Sequence, residues 1–152
     1  MYAGIFYDEI RNPLNLFKEL NKIDKDFKFI IYTNKNNYFR LKNINDLEKE
    51  REKLGNKLEI KDLISREECI LKMSQMDFLI NLENINTEQS PSKLIDYALS
   101  KRPILSFNQN NFNVDTFKEF LNENYKKQKM INIEKYDIRN VTKRFMELIE
   151  NE

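Results

Sequence analysis

Short, near-continuously apolar runs alternate with stretches whose apolar residues recur at helical spacing, and this alternation holds from one end of the chain to the other. Residues 3–7, 27–33, 57–61, 77–82 and 102–107 read as strands. All but the third are apolar at nearly every position, as parallel strands covered on both faces must be. Between them, Leu16, Phe17, Leu20 and Ile23 share one helical face, after Asn12 as N-cap and Pro13 at the first helical position. Ser65-Arg-Glu-Glu68 is a capping box, opening a helix whose inner face is Cys69, Ile70, Met73 and Met76. A charged helix over residues 45–54 stops at Gly55, and a helix over 114–122 leads to a short strand near 130–133. Asp137 caps a last helix carrying Ile138, Val141, Phe145, Leu148 and Ile149. The pattern predicts an α/β fold, a Rossmann-like doubly wound parallel sheet with helices on both faces. With no repeat and no linker, residues 1–152 form one domain. The first apolar run starts within three residues of Met1, so the chain is expected to be the C-terminal half of a longer two-domain protein.

Composition removes several classes of function. The 26 basic and 25 acidic side chains nearly cancel to a formal charge of +1, whereas a duplex-DNA binder needs a basic excess, so no nucleic-acid partner is expected. No apolar run is long enough to span a bilayer, and no basic leader opens the chain. Histidine is absent and Cys69 is the single cysteine. That excludes histidine-based triads, Cys/His zinc sites and a disulfide framework, and it predicts a reducing, cytoplasmic setting. Cys69 itself, on an apolar helical face, reads as a core thiol. With only Gly4 and Gly55, there is neither a G-x-G-x-x-G fingerprint nor a phosphate-binding P-loop. No metal and no cofactor is predicted. Asp24-Lys-Asp26 has the D-x-D spacing of a metal motif, but it falls in a helix-to-strand turn and reads as a polar turn. Tyr125-Lys-Lys-Gln-Lys129 reads as a solvated loop, with contact to a membrane surface or acidic partner as the alternative.

In an open parallel sheet the ligand crevice lies outside the carboxyl ends of the strands. That rule selects residues 8–12, 34–37, 62–65 and 83–91, of which the last is the most informative. Ser90 suits an N-cap and Pro91 the first helical position, so the N–H groups of Ser92 and Lys93 are expected to face the crevice at the positive end of a helix dipole. Such a start binds anions, a diphosphate included, and Lys93 adds a full charge. Asp96, one turn on, can accept from a vicinal diol such as a ribose, and Glu88 from a sugar hydroxyl. The alternative is that Lys93 and Asp96 form an ordinary solvated i,i+3 pair.

The stretch Gln89-Ser-Pro-Ser-Lys-Leu-Ile-Asp-Tyr-Ala-Leu-Ser-Lys-Arg-Pro-Ile-Leu105 resembles the donor-site helix and following strand of GT-B-fold glycosyltransferases, of the group 1 or family 4 type. Met76-Asp-Phe-Leu-Ile-Asn-Leu82 is similar to the strand preceding that helix, and Ile5-Phe-Tyr with Arg11-Asn-Pro13 to the family's first strand and turn. The family's E-x7-E pattern falls on Glu88 and Asp96, with Asp in place of the second Glu, and Lys101 stands where a glycine is usual. The resemblance implies a hexosyltransferase whose donor-binding set is Arg11, Gln89, Ser90, Ser92, Lys93 and Asp96. In it, Asp96 holds the donor ribose, Ser92, Lys93 and Arg11 meet the diphosphate, and Glu88 contacts the transferred sugar. It further implies a UDP- or GDP-sugar donor, a saccharide or lipid-linked acceptor as in polysaccharide biosynthesis, and an acceptor domain N-terminal to this chain. The full-length enzyme would work in the cytoplasm, peripherally at the inner face of the membrane, and the isolated domain would be inactive. The competing reading is a non-catalytic flavodoxin-like ligand-binding or signalling module built on the same sheet.

Overall fold

The computed structural model describes residues 1–85, 93–140, 142, 146 and 147. Its strands pair in parallel. β1 (Tyr2–Ala3), β2 (Phe29–Tyr32) and β3 (Leu58–Lys61) form one sheet in that order, and β4 (Leu79–Glu83) pairs with β5 (Ile104–Asn108) in another. Ile31 stands opposite both Tyr2 and Ile60, and Leu79 opposite Ile104. The two sheets meet at the start of the chain. The Met1 carbonyl accepts from the Ile80 N–H at 2.8 Å, and the Met1 ammonium donates to the Phe78 carbonyl at 3.0 Å. Two residues on, a side chain takes over from the ladder. The Tyr97 hydroxyl accepts from the Ala3 N–H at 2.9 Å and lies 3.0 Å from the Ile80 carbonyl, to which it donates.

The described residues include the helices α1 (Leu14–Leu20), α2 (Lys35–Phe39), α3 (Ile44–Leu54), α4 (Arg66–Ser74) and α5 (Lys93–Leu99) between the strands, and α6 (Val114–Leu121) after the last. Their starts follow local capping chemistry. Asn34, Ser65 and Asn113 each accept from the backbone N–H three residues on, which satisfies one orphaned donor per helix. Asn12 accepts from the Leu14 N–H at 3.0 Å, so α1 starts one residue later than the predicted Pro13. Gly55 ends α3 at φ 51, as its position predicted.

Strand residues of alternate parity feed two apolar clusters. Tyr2, Phe29, Ile31, Ile80, Leu82, Leu105 and Phe107 join Leu16, Phe17 and Leu20 of α1, Leu47 and Leu54 of α3, and Phe117 and Phe120 of α6. Ala3, Tyr32, Leu79 and Ile104 join Met73 of α4 and Tyr97 of α5, with Cys69 and Met76 packed alongside. Parallel strands buried on both faces account for the uninterrupted apolar runs of the sequence.

Three expectations need correction. The first strand does not extend over residues 3–7. Gly4 adopts φ +150, and although its N–H still reaches the Tyr32 carbonyl at 3.0 Å, the chain then leaves the sheet and closes a loop through a Tyr7–Arg11 bridge. No strand forms near 130–133. A single bond from the Lys129 N–H to the Ile104 carbonyl gives way to a 3₁₀ turn at Ile133–Tyr136, capped by Asn132. Helical residues do follow Asp137, whose Oδ1 accepts from the Arg139 N–H at 2.9 Å, but Ile138 there is 74% exposed. Val141, Phe145, Leu148 and Ile149 lie outside the described residues.

Candidate anion-binding site

α5 opens at Lys93 and turns that side chain over β1. Nζ lies 4.5 Å from the centroid of the Tyr2 ring and 5.8 Å from that of Tyr97. The amine is buried and has no hydrogen-bond partner, although the residue as a whole is only half-buried. A cation so placed gains from the ring faces but loses its hydration. Burial first, and the Arg11 charge second, push the amine down from its ordinary range to about 7.

Arg11 comes from the loop after β1, where the Tyr7–Arg11 bridge fixes its backbone and the Tyr7 ring lies 5.1 Å from its guanidinium carbon. Its Nε is buried without a partner. Burial raises the Tyr2 phenol above its ordinary range while Arg11, acting on the same hydroxyl, opposes the shift. Two cationic side chains therefore converge on Tyr2, whose ring is itself held by stacking on Phe6 at 4.8 Å. Among the described residues neither cation is in an ion pair. Thr33 Oγ1 beyond β2 and Asn84 Oδ1 beyond β4 are also buried without partners. Buried polar atoms are normally satisfied, so their accumulation at the carboxyl ends of the strands marks a place built for something else.

Gly4 keeps this site open. A Cβ there would come within 3.0 Å of the Tyr2 hydroxyl and 3.5 Å of Lys93 Nζ, and its φ lies where L-residues are strained.

Asp96 does not pair with Lys93, so the solvated i,i+3 pair is not formed. Its Oδ1 accepts from Arg66 Nε at 2.9 Å and Arg66 Nη2 at 2.6 Å, linking α5 to the first residue of α4. Glu83, at the end of β4, accepts from Ser106 Oγ at 2.7 Å and from Lys129, and Asn81 donates to the same Ser106 at 2.6 Å. Glu88, Gln89, Ser90 and Ser92, with Pro91 between them, lie outside the described residues. Of the sequence-predicted site, Arg11 and Lys93 are brought together, while Asp96 is one turn away on another partner.

Sequence reasoning missed Tyr2, Gly4, Tyr97 and Arg66. Tyr97 was within reach, because it sits four residues after Lys93 and so shares its helical face. Tyr2 was not, because its direction depends on strand pairing. Lys101 adopts φ 57, a left-handed conformation that glycine takes without strain.

At the opposite pole, a cavity of about 220 Å³ opens between Phe27, Phe78, Phe117, Phe120 and Tyr125. These rings pack edge to face, with Asp26, Lys28, Asp77 and Glu123 also lining the space, and none of the buried unpartnered polar atoms belongs to it. Asp24 and Asp26 are exposed near that pole, and no cluster of metal-ligating side chains occurs among the described residues. None of the described helices is long and apolar enough to cross a membrane. No family model, curated protein or solved structure matches this chain.

Proposed function

We propose that this chain is the donor-binding domain of a glycosyltransferase and holds a nucleoside-diphosphate sugar by its diphosphate. The carrying observation is the pair of basic side chains, Arg11 and Lys93, each with a buried nitrogen that lacks a partner. A diphosphate supplies the missing negative charge and acceptor oxygens together. Strand order supports the location. If the Met1 bonds to β4 are counted as part of one sheet, the order is β3-β2-β1-β4-β5, that of a doubly wound fold whose switch point lies between β1 and β4. Arg11 follows β1 and Lys93 follows β4, so the two basic residues flank that point. The left-handed Lys101 supports the resemblance in a second way, because the backbone there takes the shape that the family's usual glycine allows.

In this reading Asp96 accepts from the ribose, oriented by Arg66, and Glu88 accepts from the transferred sugar, with Gln89, Ser90 and Ser92 completing the contacts. Negative charge builds on the departing nucleoside diphosphate as the glycosidic bond breaks, and Arg11 and Lys93 stabilise it without a metal. One well-placed donor of this kind is worth ~3 kcal/mol at the transition state. The acceptor and any general base belong to an N-terminal partner domain, with the full-length enzyme cytoplasmic and peripheral to the membrane. The chain alone is then expected to bind donor but transfer little.

Titration calorimetry with UDP and GDP tests the reading. Saturable binding of one of them is expected, weakened at least tenfold by Arg11→Ala. Failure of both to bind at millimolar concentration would overturn the proposal. If nucleotide binds and Asp96→Ala leaves its affinity unchanged, the ribose assignment fails.

A further inference from the structure

The described residues around Lys93 Nζ are groups that cannot take its charge. Tyr2 of β1 and Tyr97 of α5 offer ring faces, Arg11 of the first loop offers a second cation, and Gly4 offers only its Cα. Cys69 of α4 stands beyond Tyr97, and Tyr7 beyond Arg11. The nearest turn of α5 carries Asp96, which is already engaged by Arg66 of α4. Among the described residues, every titratable neighbour is therefore a phenol, a thiol, another cation, or a carboxylate held elsewhere.

We propose, resting on the donor-binding reading above, that this site takes up its anion together with a proton, Lys93 being a neutral amine when the site is empty and an ammonium when it is filled. The proton comes from a solvent or buffer acid and forms the third N–H bond on Nζ, and no bond of the anion is made or broken. Desolvation and the Arg11 charge keep the empty amine near its depressed value of about 7. A dianion placed between Arg11 and Lys93 reverses both influences, since an opposite charge within a few ångströms raises an amine by about 1–3 pH units. Charge selectivity follows. A monoanion is already matched by Arg11 alone, whereas a dianion is matched only once Lys93 is protonated.

Calorimetry of the intact chain at pH 8 in HEPES and in Tris, which differ in ionisation heat, reads the proton directly. UDP, GDP and sulfate are the probes; the terminal phosphates are largely ionised there, with a second ionisation near ~6, and sulfate has no proton to exchange. The expected uptake is about 0.4–0.9 proton per anion, and affinity is expected to fall about two- to eightfold between pH 7.5 and 8.5. Lys93→Arg, with a fixed charge, is expected to bind with neither uptake nor pH dependence. The wild-type measurement stands even if that variant misfolds. Nucleotide binding with uptake below about 0.1 proton overturns this inference and leaves the donor reading intact. Sulfate binding with uptake but no nucleotide binding supports it and overturns the donor reading, and no binding of any probe overturns both.

Discussion

Lys93 is a residue whose stability contribution and binding contribution have opposite signs. Its folded value of about 7 lies below the ordinary 10.5, so between those limits the unfolded chain binds more protons than the folded one. Stability therefore rises with pH from about 7 to about 10.5, and below 7 the full penalty of a buried ammonium is present. Lys93→Met, close in volume and without charge, is expected to raise stability by a few kcal/mol near pH 6.5 and by progressively less toward pH 10. Urea unfolding at three pH values checks this. A gain that does not shrink with pH would mean that the amine is not a neutralised cation in the native state. The same substitution removes half of the proposed anion site, which is the usual cost of optimising a functional position for stability.

Among the elements, α5 joins the strands as well as carrying Lys93. Tyr97→Phe removes the hydroxyl that serves the Ala3 N–H and the Ile80 carbonyl, leaving a buried donor unsatisfied. The expected loss is about 1–3 kcal/mol in urea unfolding, with faster amide exchange at Ala3. Helix positions were legible in the sequence because their signals are local: Ser65 caps α4 and Gly55 ends α3, each within a few residues of what it controls. The strand runs were legible for the same reason, in that both faces are apolar. What the sequence did not disclose depends on distant pairing. Arg66 reaches Asp96 across thirty residues. Tyr2 lies beneath Lys93 because β1 pairs in the parity that places it there, and Gly4 shortens β1 through a backbone conformation that no periodicity records. Residues 130–133 have strand-like composition, yet only Lys129 finds a free carbonyl on β5, so the pairing stops after one bond.

At the scale of the whole molecule, most ion pairs are exposed, such as Lys22–Glu19 and Arg139–Asp137, and add little to stability. Cohesion comes from the two apolar clusters and from the join at β1. Since Met1 and Ala3 are bonded through to β4 and α5, amides of β2 and of β4 are expected to exchange through one common opening. Native-state hydrogen exchange across a urea series would show this as converging free energies; two separate limits would mean that the sheets open independently. Lys93 and Tyr97 sit four residues apart on α5, about 6 Å along its axis, the first facing the crevice and the second pinning the strands. The helix is thus a short lever with its load at one end and its pivot at the other. One short helix therefore holds both the amine over the Tyr2 ring and the hydroxyl that ties Ala3 to Ile80.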